Sequence, residues 1–142
     1  MATLLARRTA VTAADGAGGV VGAVLPVVID TAGLWLTFTY TPVTTPATVE
    51  VRCAVEGSTD GTNWHQLCRF IDQTVVGGTT RICRLPGTVA AAESALTAAA
   101  VDTAAVAATV SDGGLPTYLR ATTKVQIQTG ASASITINVT AG

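Results

Sequence analysis

The feature that most constrains this chain is the stretch 49–70, in which two strand-like runs flank a short polar turn. Alternate positions of the first run are apolar, a period of two that is typical of a strand with one buried face. These positions are Val49, Val51, Cys53 and Val55. The turn contains Asp60 and Gly61, a pair that favours a hairpin because glycine readily adopts positive φ. Trp64 follows directly and is predicted to be a largely buried anchor. The segment therefore predicts an antiparallel β protein built from hairpins.

Further runs of the same kind continue along the chain. Strands are predicted at 23–30, 34–41, 79–85, 116–128 and 133–140, with turn residues between them. The last two strands are expected to turn apolar side chains inward at Leu119, Ala121, Thr123, Val125, Ile127, Ile135, Ile137 and Val139. Roughly seven or eight short strands with turn signals are typical of an all-β, antiparallel β-sandwich, either jelly-roll or immunoglobulin-like.

Two segments do not follow this strand pattern. Residues 1–23 are rich in alanine, glycine and threonine with little periodicity, which predicts an extended N-terminal arm beside a single sandwich domain at 24–142. Residues 88–110 are dominated by alanine, which favours helix, but also contain valine and threonine, which favour an extended chain. We treat about 87–114 as an insertion between strands, with 92–100 as its best helical candidate.

Composition restricts the classes of partner. The chain is 49% hydrophobic but only 12% charged, against a usual charged share of roughly 25%. Such a surface has few charges to keep it soluble alone, which favours a subunit of an assembly and self-association. The net charge is −1 without a basic stripe, which argues against nucleic acid as a partner. The apolar run 18–29 is too short to span a membrane.

The sequence contains no convincing catalytic, metal or cofactor motif. Cys53, Cys68 and Cys83 are odd in number, so buried reduced thiols are expected rather than disulfides. Residues 56–63 resemble a calcium loop, but Leu67 stands where the last acidic ligand belongs, so a hairpin turn is favoured. His65 lacks the groups that would make it a general base. We therefore expect a non-enzymatic protein that needs no cofactor.

The aromatic residues leave a binding module open as an alternative. Trp35, Tyr40 and Trp64 could form a platform on which a sugar stacks, although two of them are more readily core anchors in a chain that is 4% aromatic. A carbohydrate-binding β-sandwich predicts that these rings are exposed and coplanar in one groove.

Two stretches of the chain resemble small virion proteins of tailed bacteriophages. They read V-E-G-S-T-D-G-T-N-W-H-Q-L and P-T-Y-L-R-A-T-T-K-V-Q-I-Q-T-G-A-S-A-S-I-T-I-N-V, and the resemblance covers roughly residues 48–72 and 116–140. It implies a β-sandwich on the particle surface, with the role of a capsid decoration or cement subunit, or else of a neck or tail component. The implied partner is the major capsid protein or another virion protein, and the implied location is the virion, assembled in the host cytoplasm.

The N-terminal segment is the expected contact with such a partner. An arm with small apolar side chains gains most by burial against another subunit, so Leu4, Leu5, Val20 and Val21 are predicted to lie in the interface. Arg7 and Arg8 are predicted to pair with carboxylates of the partner.

Overall fold

The computed structural model describes residues 3–26, 34–85, 101–105, 109–110 and 116–142. Every regular element in these ranges is a β-strand. In chain order the strands are β1 (Thr3–Val11), β2 (Val20–Val21), β3 (Leu25–Pro26), β4 (Leu34–Thr44), β5 (Thr48–Ser58), β6 (His65–Arg69), β7 (Thr79–Leu85), β8 (Thr109–Val110), β9 (Tyr118–Thr129) and β10 (Ser134–Ala141). The prediction of an all-β chain is confirmed. Of the strand predicted at 23–30, the structure describes only β3, and 27–30 lie outside the described residues.

The strands form two antiparallel sheets that enclose one core, which is the architecture of a β-sandwich. One sheet has the order β1-β10-β4-β7, and the other has the order β2-β9-β5-β6-β8, with β3 also paired to β9. The pairings are nested: β1 pairs with β10, β2 and β3 with β9, β4 with β7, and β5 with β6. Each pair therefore encloses the next one along the chain.

Alternation of apolar residues builds the core, as the sequence predicts. On β4 and β10 the buried side chains are Leu36, Phe38, Tyr40, Ile135, Ile137 and Val139, and they face Val51, Cys53, Val55, Leu119, Ala121 and Val125 of the other sheet. One predicted core residue, Ile127, is instead 42% exposed. The cause is a bulge in β9: Glu50 and Val51 of β5 lie opposite Ile127 and Val125, so Gln126 is an extra residue on β9. A bulge changes which face the next side chain occupies.

The β5–β6 turn is the predicted hairpin turn. The Asp60 carboxylate accepts hydrogen bonds from the backbone N–H groups of Thr62 and Asn63, each at 2.8 Å. Ser58 Oγ accepts the N–H of Gly61 at 2.9 Å, and Gly61 has a φ of 76°. Asp60 and Gly61 therefore hold the turn as the sequence predicts, one through its side chain and the other through its backbone freedom.

The sequence predicts an extended arm at residues 1–23, but the described part of this segment, 3–23, belongs to the two sheets, so the prediction is wrong. Strand β1 is an edge strand of the four-stranded sheet, and Leu5 lies in the core with 1% exposure. The chain then crosses to the other sheet, where β2 and β3 pair with β9. Register shifts between Leu4 and Ala6 and between Arg8 and Val11 interrupt the alternation of β1, so its sequence lacks the period of a regular strand.

The alanine-rich insertion is described only in part. The helical candidate 92–100 lies outside the described residues. Residues 101–105, called here the cover segment, lie against the six-stranded sheet, where the Asp72 N–H donates a hydrogen bond of 3.1 Å to the backbone oxygen of Ala105. Strand β8 pairs with β6. The described part of the insertion therefore packs on its own domain.

Candidate functional site

The two sheets differ in what covers their outer faces. On the six-stranded sheet, side chains that alternate with the core residues are nevertheless buried: Arg52, Ala54, Thr122 and Lys124. The cover segment accounts for much of this burial. Arg52 Nη1 donates to the backbone oxygens of Val101 at 3.2 Å and of Asp102 at 2.8 Å, and Arg69 Nη2 donates to that of Thr103 at 3.0 Å.

Paired charges stabilise this covered face. Arg52 lies 2.7 Å from Glu50 and 3.3 Å from Asp72, and Arg69 lies 2.7 Å from Asp72. Buried charges of this kind are tolerated only when they are paired and hydrogen-bonded. Asp102 binds Lys124 Nζ and accepts the N–H of Gly18 at 2.9 Å. The bond with Lys124, followed by that from Gly18, lowers the pKa of Asp102. Asp102 therefore connects the cover segment to Lys124 on β9 and to Gly18 before β2.

The outer face of the four-stranded sheet is open. Its strands place Leu4, Thr140, Thr37 and Ile82 in one cross-strand row, and Arg7, Asn138, Thr39 and Thr80 in the next. Trp35 lies opposite Arg84 at the end of the sheet. The apolar members are well exposed: 45% for Leu4, 55% for Trp35 and 61% for Ile82. We call this surface the open face.

Among the residues that the structure describes, the open face carries basic side chains but no acidic ones. Within the described ranges, every aspartate and glutamate lies on the six-stranded sheet or in a connecting segment, and β1, β4, β7 and β10 contain none. Arg7 is exposed on this face, and the Arg84 guanidinium carbon lies 5.9 Å from the centre of the Trp35 ring. A flat, threonine-rich surface with exposed apolar side chains and positive charge results.

The six residues predicted to contact a partner are divided among different surroundings. Leu4 and Arg7 lie on the open face, and Val20 and Val21 are exposed on β2. Leu5 and Arg8 do not lie where the sequence predicts. Leu5 fills the core of its own domain, and Arg8 pairs with Asp15 of its own chain at 2.7 Å. Because β1 belongs to the sheet, only one of its faces remains available to a partner.

The three candidate aromatic residues do not form a common platform. Tyr40 is buried in the core, Trp35 lies on the open face, and Trp64 lies against Arg120 of the other sheet, with 4.2 Å from its ring centre to the guanidinium carbon. Trp64 is half-buried and stays outside the core cluster, so the prediction that it is a core anchor is wrong. Arg120 also forms an ion pair of 2.7 Å with Glu56. Because this ion pair fixes the guanidinium in place, the Trp64 ring can pack against it.

The carboxylates of the calcium-like loop bind other groups of the same chain. Glu56 pairs with Arg120, and the Asp60 carboxylate accepts turn hydrogen bonds. The backbone N–H groups of Asn63 and Thr62 hold the pKa of Asp60 well below its usual range. In the part of the chain that the structure describes, no group of three or more histidine, cysteine, aspartate and glutamate side chains could hold a metal ion.

The three cysteines are free in the structure, and two of them are in contact. The Sγ atoms of Cys68 on β6 and Cys83 on β7 lie 2.7 Å apart. Cys53 and Cys68 are buried, whereas Cys83 is half-buried. The hydrogen bond with Cys83, together with burial, raises the pKa of Cys68, and burial raises that of Cys53. The contact could not be anticipated from the sequence, because fifteen residues and two different sheets separate the two thiols.

Comparison of the chain with protein-family models, curated proteins and solved structures finds no match. Among the described residues, no helix has the length and apolar character needed to cross a membrane.

Proposed function

We propose that this chain is a non-enzymatic structural protein of a bacteriophage virion, a capsid decoration or cement subunit that binds shell protein through its open face. The observation that carries this proposal is the contrast between the two outer faces. The chain covers one of them with its own cover segment and an ion-pair cluster, and it leaves Leu4, Trp35 and Ile82 exposed on the other.

The nested strand pairing supports the virion assignment. We propose that the sandwich is a jelly roll, in which the outermost strand pair encloses successively inner pairs, as β1–β10 encloses β2–β9, β4–β7 and β5–β6. Jelly rolls occur in viral capsid proteins and in lectins alike. Because a fold does not determine a function, the surface has to distinguish these two classes. The separation of Trp35, Tyr40 and Trp64 disfavours the sugar platform of a lectin.

The composition of the open face indicates the chemistry of its partner. Arg7 is exposed on this face, and the four strands that build it contain no aspartate or glutamate, which favours a partner surface with exposed carboxylates. Trp35 and Ile82 are the side chains with most apolar area to bury, and tryptophan and arginine are frequent among the residues that dominate binding energy. Threonines between them allow a flat, close contact.

The size of the face indicates a weak individual contact. Four strands about 4.8 Å apart, each with roughly seven residues, present on the order of 400–500 Å². A stable interface buries about 800 Å² on each partner. A single open face is therefore small, and firm attachment would require several linked copies, which fits a homo-oligomer on a repetitive shell. Linked copies that each bind one site of a repetitive shell would bridge neighbouring shell subunits.

Localisation of the chain on particles tests the proposal. Antibodies against the purified full chain are applied to gradient fractions from cells that produce it, and the particles are examined by electron microscopy with gold labelling. A decoration subunit sediments with the particles and is distributed over their heads. Label confined to the neck or tail would assign the chain to that part of the virion instead. A chain that remains entirely in the unsedimented fraction would contradict a virion role.

A further inference from the structure

The two thiols that touch lie on opposite sheets of the sandwich. Cys68 belongs to β6 in the six-stranded sheet, opposite Val55, and Cys83 belongs to β7 in the four-stranded sheet, opposite Leu36. Their separation of 2.7 Å is shorter than the 3.5–4.0 Å typical of optimal carbon–carbon contact. It exceeds the ~2.05 Å length of a disulfide bond by about 0.7 Å. The two sulfur atoms are therefore already close to bonding distance.

We propose that Cys68 and Cys83 form a redox modification site. A small-molecule disulfide of the glutathione type oxidises the two thiols by thiol–disulfide exchange, and the resulting Cys68–Cys83 disulfide joins the two sheets. This inference is independent of the virion role. It concerns the reduced protein as the structure describes it, with three free cysteines, and a second, oxidised form of the same fold.

The reaction proceeds in two exchanges. The Cys83 thiol loses its proton, and the thiolate attacks one sulfur of oxidised glutathione, which forms a Cys83–glutathione mixed disulfide and releases the first reduced glutathione. Cys68 then loses its proton to solvent and attacks Sγ of Cys83, which breaks the mixed disulfide and forms the Cys68–Cys83 bond. The departing glutathione thiolate takes up a proton and leaves as the second reduced glutathione. Two protein thiols are oxidised and one glutathione disulfide is reduced, so atoms and electrons balance.

Exposure determines the order of the two steps. Cys83 is half-buried on an edge strand, whereas Cys68 is fully buried. A tripeptide disulfide can therefore reach Cys83 first, and Cys68 is placed to resolve the mixed disulfide from within. The hydrogen bond with Cys83 and burial raise the pKa of Cys68, which disfavours Cys68 as the first attacking thiol.

The third cysteine provides a control within the same core. Cys53 lies on β5, in the same sheet as Cys68, and is also fully buried. Its backbone oxygen accepts the N–H of Phe70 at 3.0 Å, so it is opposite Phe70 rather than opposite another cysteine. Oxidation should therefore leave Cys53 as the single remaining thiol.

The Cys68–Cys83 bond would connect the two sheets covalently at a second side of the sandwich. The 12–26 segment already connects the sheets at the β1 side, and the new bond would connect them at the β7 side. A cross-link that closes a loop of about 15 residues restricts the unfolded chain. For a domain of this size the expected rise in melting temperature is about 10 °C.

The test uses the full chain, purified with reductant and then incubated with oxidised glutathione. Thiols are counted in denaturant, and non-reducing peptide mapping identifies the linked residues. The expected results are a fall from three thiols to one, a peptide pair that contains Cys68 and Cys83, and a melting temperature that rises by about 10 °C and returns after reduction. Three remaining thiols, a stable glutathione adduct, or a bond that includes Cys53 would overturn the proposal.

Two matched variants complete the test. Cys53→Ala should still lose both of its thiols and gain the thermal shift, whereas Cys83→Ala should keep both thiols and show no shift. Cys83 is on an edge strand and half-buried, so its replacement is compatible with folding, and the mapping of the unmodified chain does not depend on any variant. Equal thiol loss in both variants would contradict the assigned pair.

Discussion

Arg8 donates two hydrogen bonds to the carboxylate of Asp15, each 2.7 Å long, at the point where the chain passes from one sheet to the other. Asp15 also accepts the N–H of Val125 on β9 at 2.7 Å, and its own N–H donates to the oxygen of Val125 at 2.7 Å. One carboxylate therefore ties β1 of the four-stranded sheet to β9 of the six-stranded sheet.

Removal of this charge should destabilise the domain. Asp15→Asn leaves a largely buried guanidinium without its partner, and we expect a loss of about 2–4 kcal/mol in the free energy of unfolding. Urea denaturation at pH 7 measures it. Asp102→Asn is the matched control, because it also removes an aspartate from an ion pair, but at a more exposed site where solvent screens the charges. Equal losses in the two variants would contradict a special role for Asp15.

The Asp15 carboxylate should make the free energy of unfolding depend on pH in the acidic range. Burial alone would raise the pKa of Asp15, but the hydrogen bonds from Arg8 and Val125 and the nearby positive charges lower it overall. Because the pKa in the folded protein is below that in the unfolded chain, the stabilisation is complete above pH ~4 and is lost as the pH falls through the folded value. Urea denaturation from pH 6 to pH 2 should show a smaller decline for Asp15→Asn than for the unmodified chain. An equal decline in the free energy of unfolding for the two proteins would refute this prediction.

The two leucines of β1 should respond oppositely to truncation. Leu5 is buried in the core, and Leu5→Ala should cost about 2–5 kcal/mol. Leu4 is its exposed neighbour, and Leu4→Ala should change stability by no more than about 0.5 kcal/mol. Thermal and urea unfolding of both variants tests whether β1 is part of the sandwich. If Leu5→Ala unfolded like the unmodified chain, residues 3–11 would have to be a separate arm.

Truncation of Trp64 should be milder than truncation of a core aromatic residue. The ring is half-buried against Arg120, so Trp64→Ala should cost about 1–2 kcal/mol, of which roughly 0.5–1 is its interaction with the guanidinium. Phe38→Ala, in the core, should cost about 3–5 kcal/mol. A double-mutant cycle of Trp64 and Arg120 measures the pair directly. A coupling of zero, or a cost equal to that of Phe38→Ala, would contradict this account.

Local patterns explain how much of the fold could be predicted. Alternation along β4, β5 and β10 identifies their buried faces because each side chain's face depends on its immediate neighbours alone. Asp60 and Gly61 predict their turn for the same reason. Strand β1 was missed because bulges break its period and its burial depends on pairing with β10, more than a hundred residues away.

The candidate site depends still more on distant contacts. The cover segment is recognisable only once Arg52 and Lys124 are seen to bind it, and the Cys68–Cys83 contact joins two sheets. Of the residues on the open face, the sequence predicts Leu4 and Arg7 as partner contacts, but it assigns both to an arm rather than to a sheet. The sequence indicates Trp35 only as part of a possible sugar platform and does not single out Ile82, because an exposed apolar residue and a buried one look alike in a strand pattern. The lack of acidic residues on β1, β4, β7 and β10 is the signal that could have singled out these strands.

The most direct test of the central claim is the binding of labelled chain to particles assembled in cells that lack it. Trp35→Glu combined with Ile82→Glu places two carboxylates on the open face, and Val75→Glu, at an exposed valine between β6 and β7, is the matched control. We expect the double variant to remain folded by circular dichroism and to bind on the order of 100-fold more weakly, while Val75→Glu binds like the unmodified chain. Equal binding of all three proteins, or no binding of the unmodified chain, would contradict the proposed role of the open face.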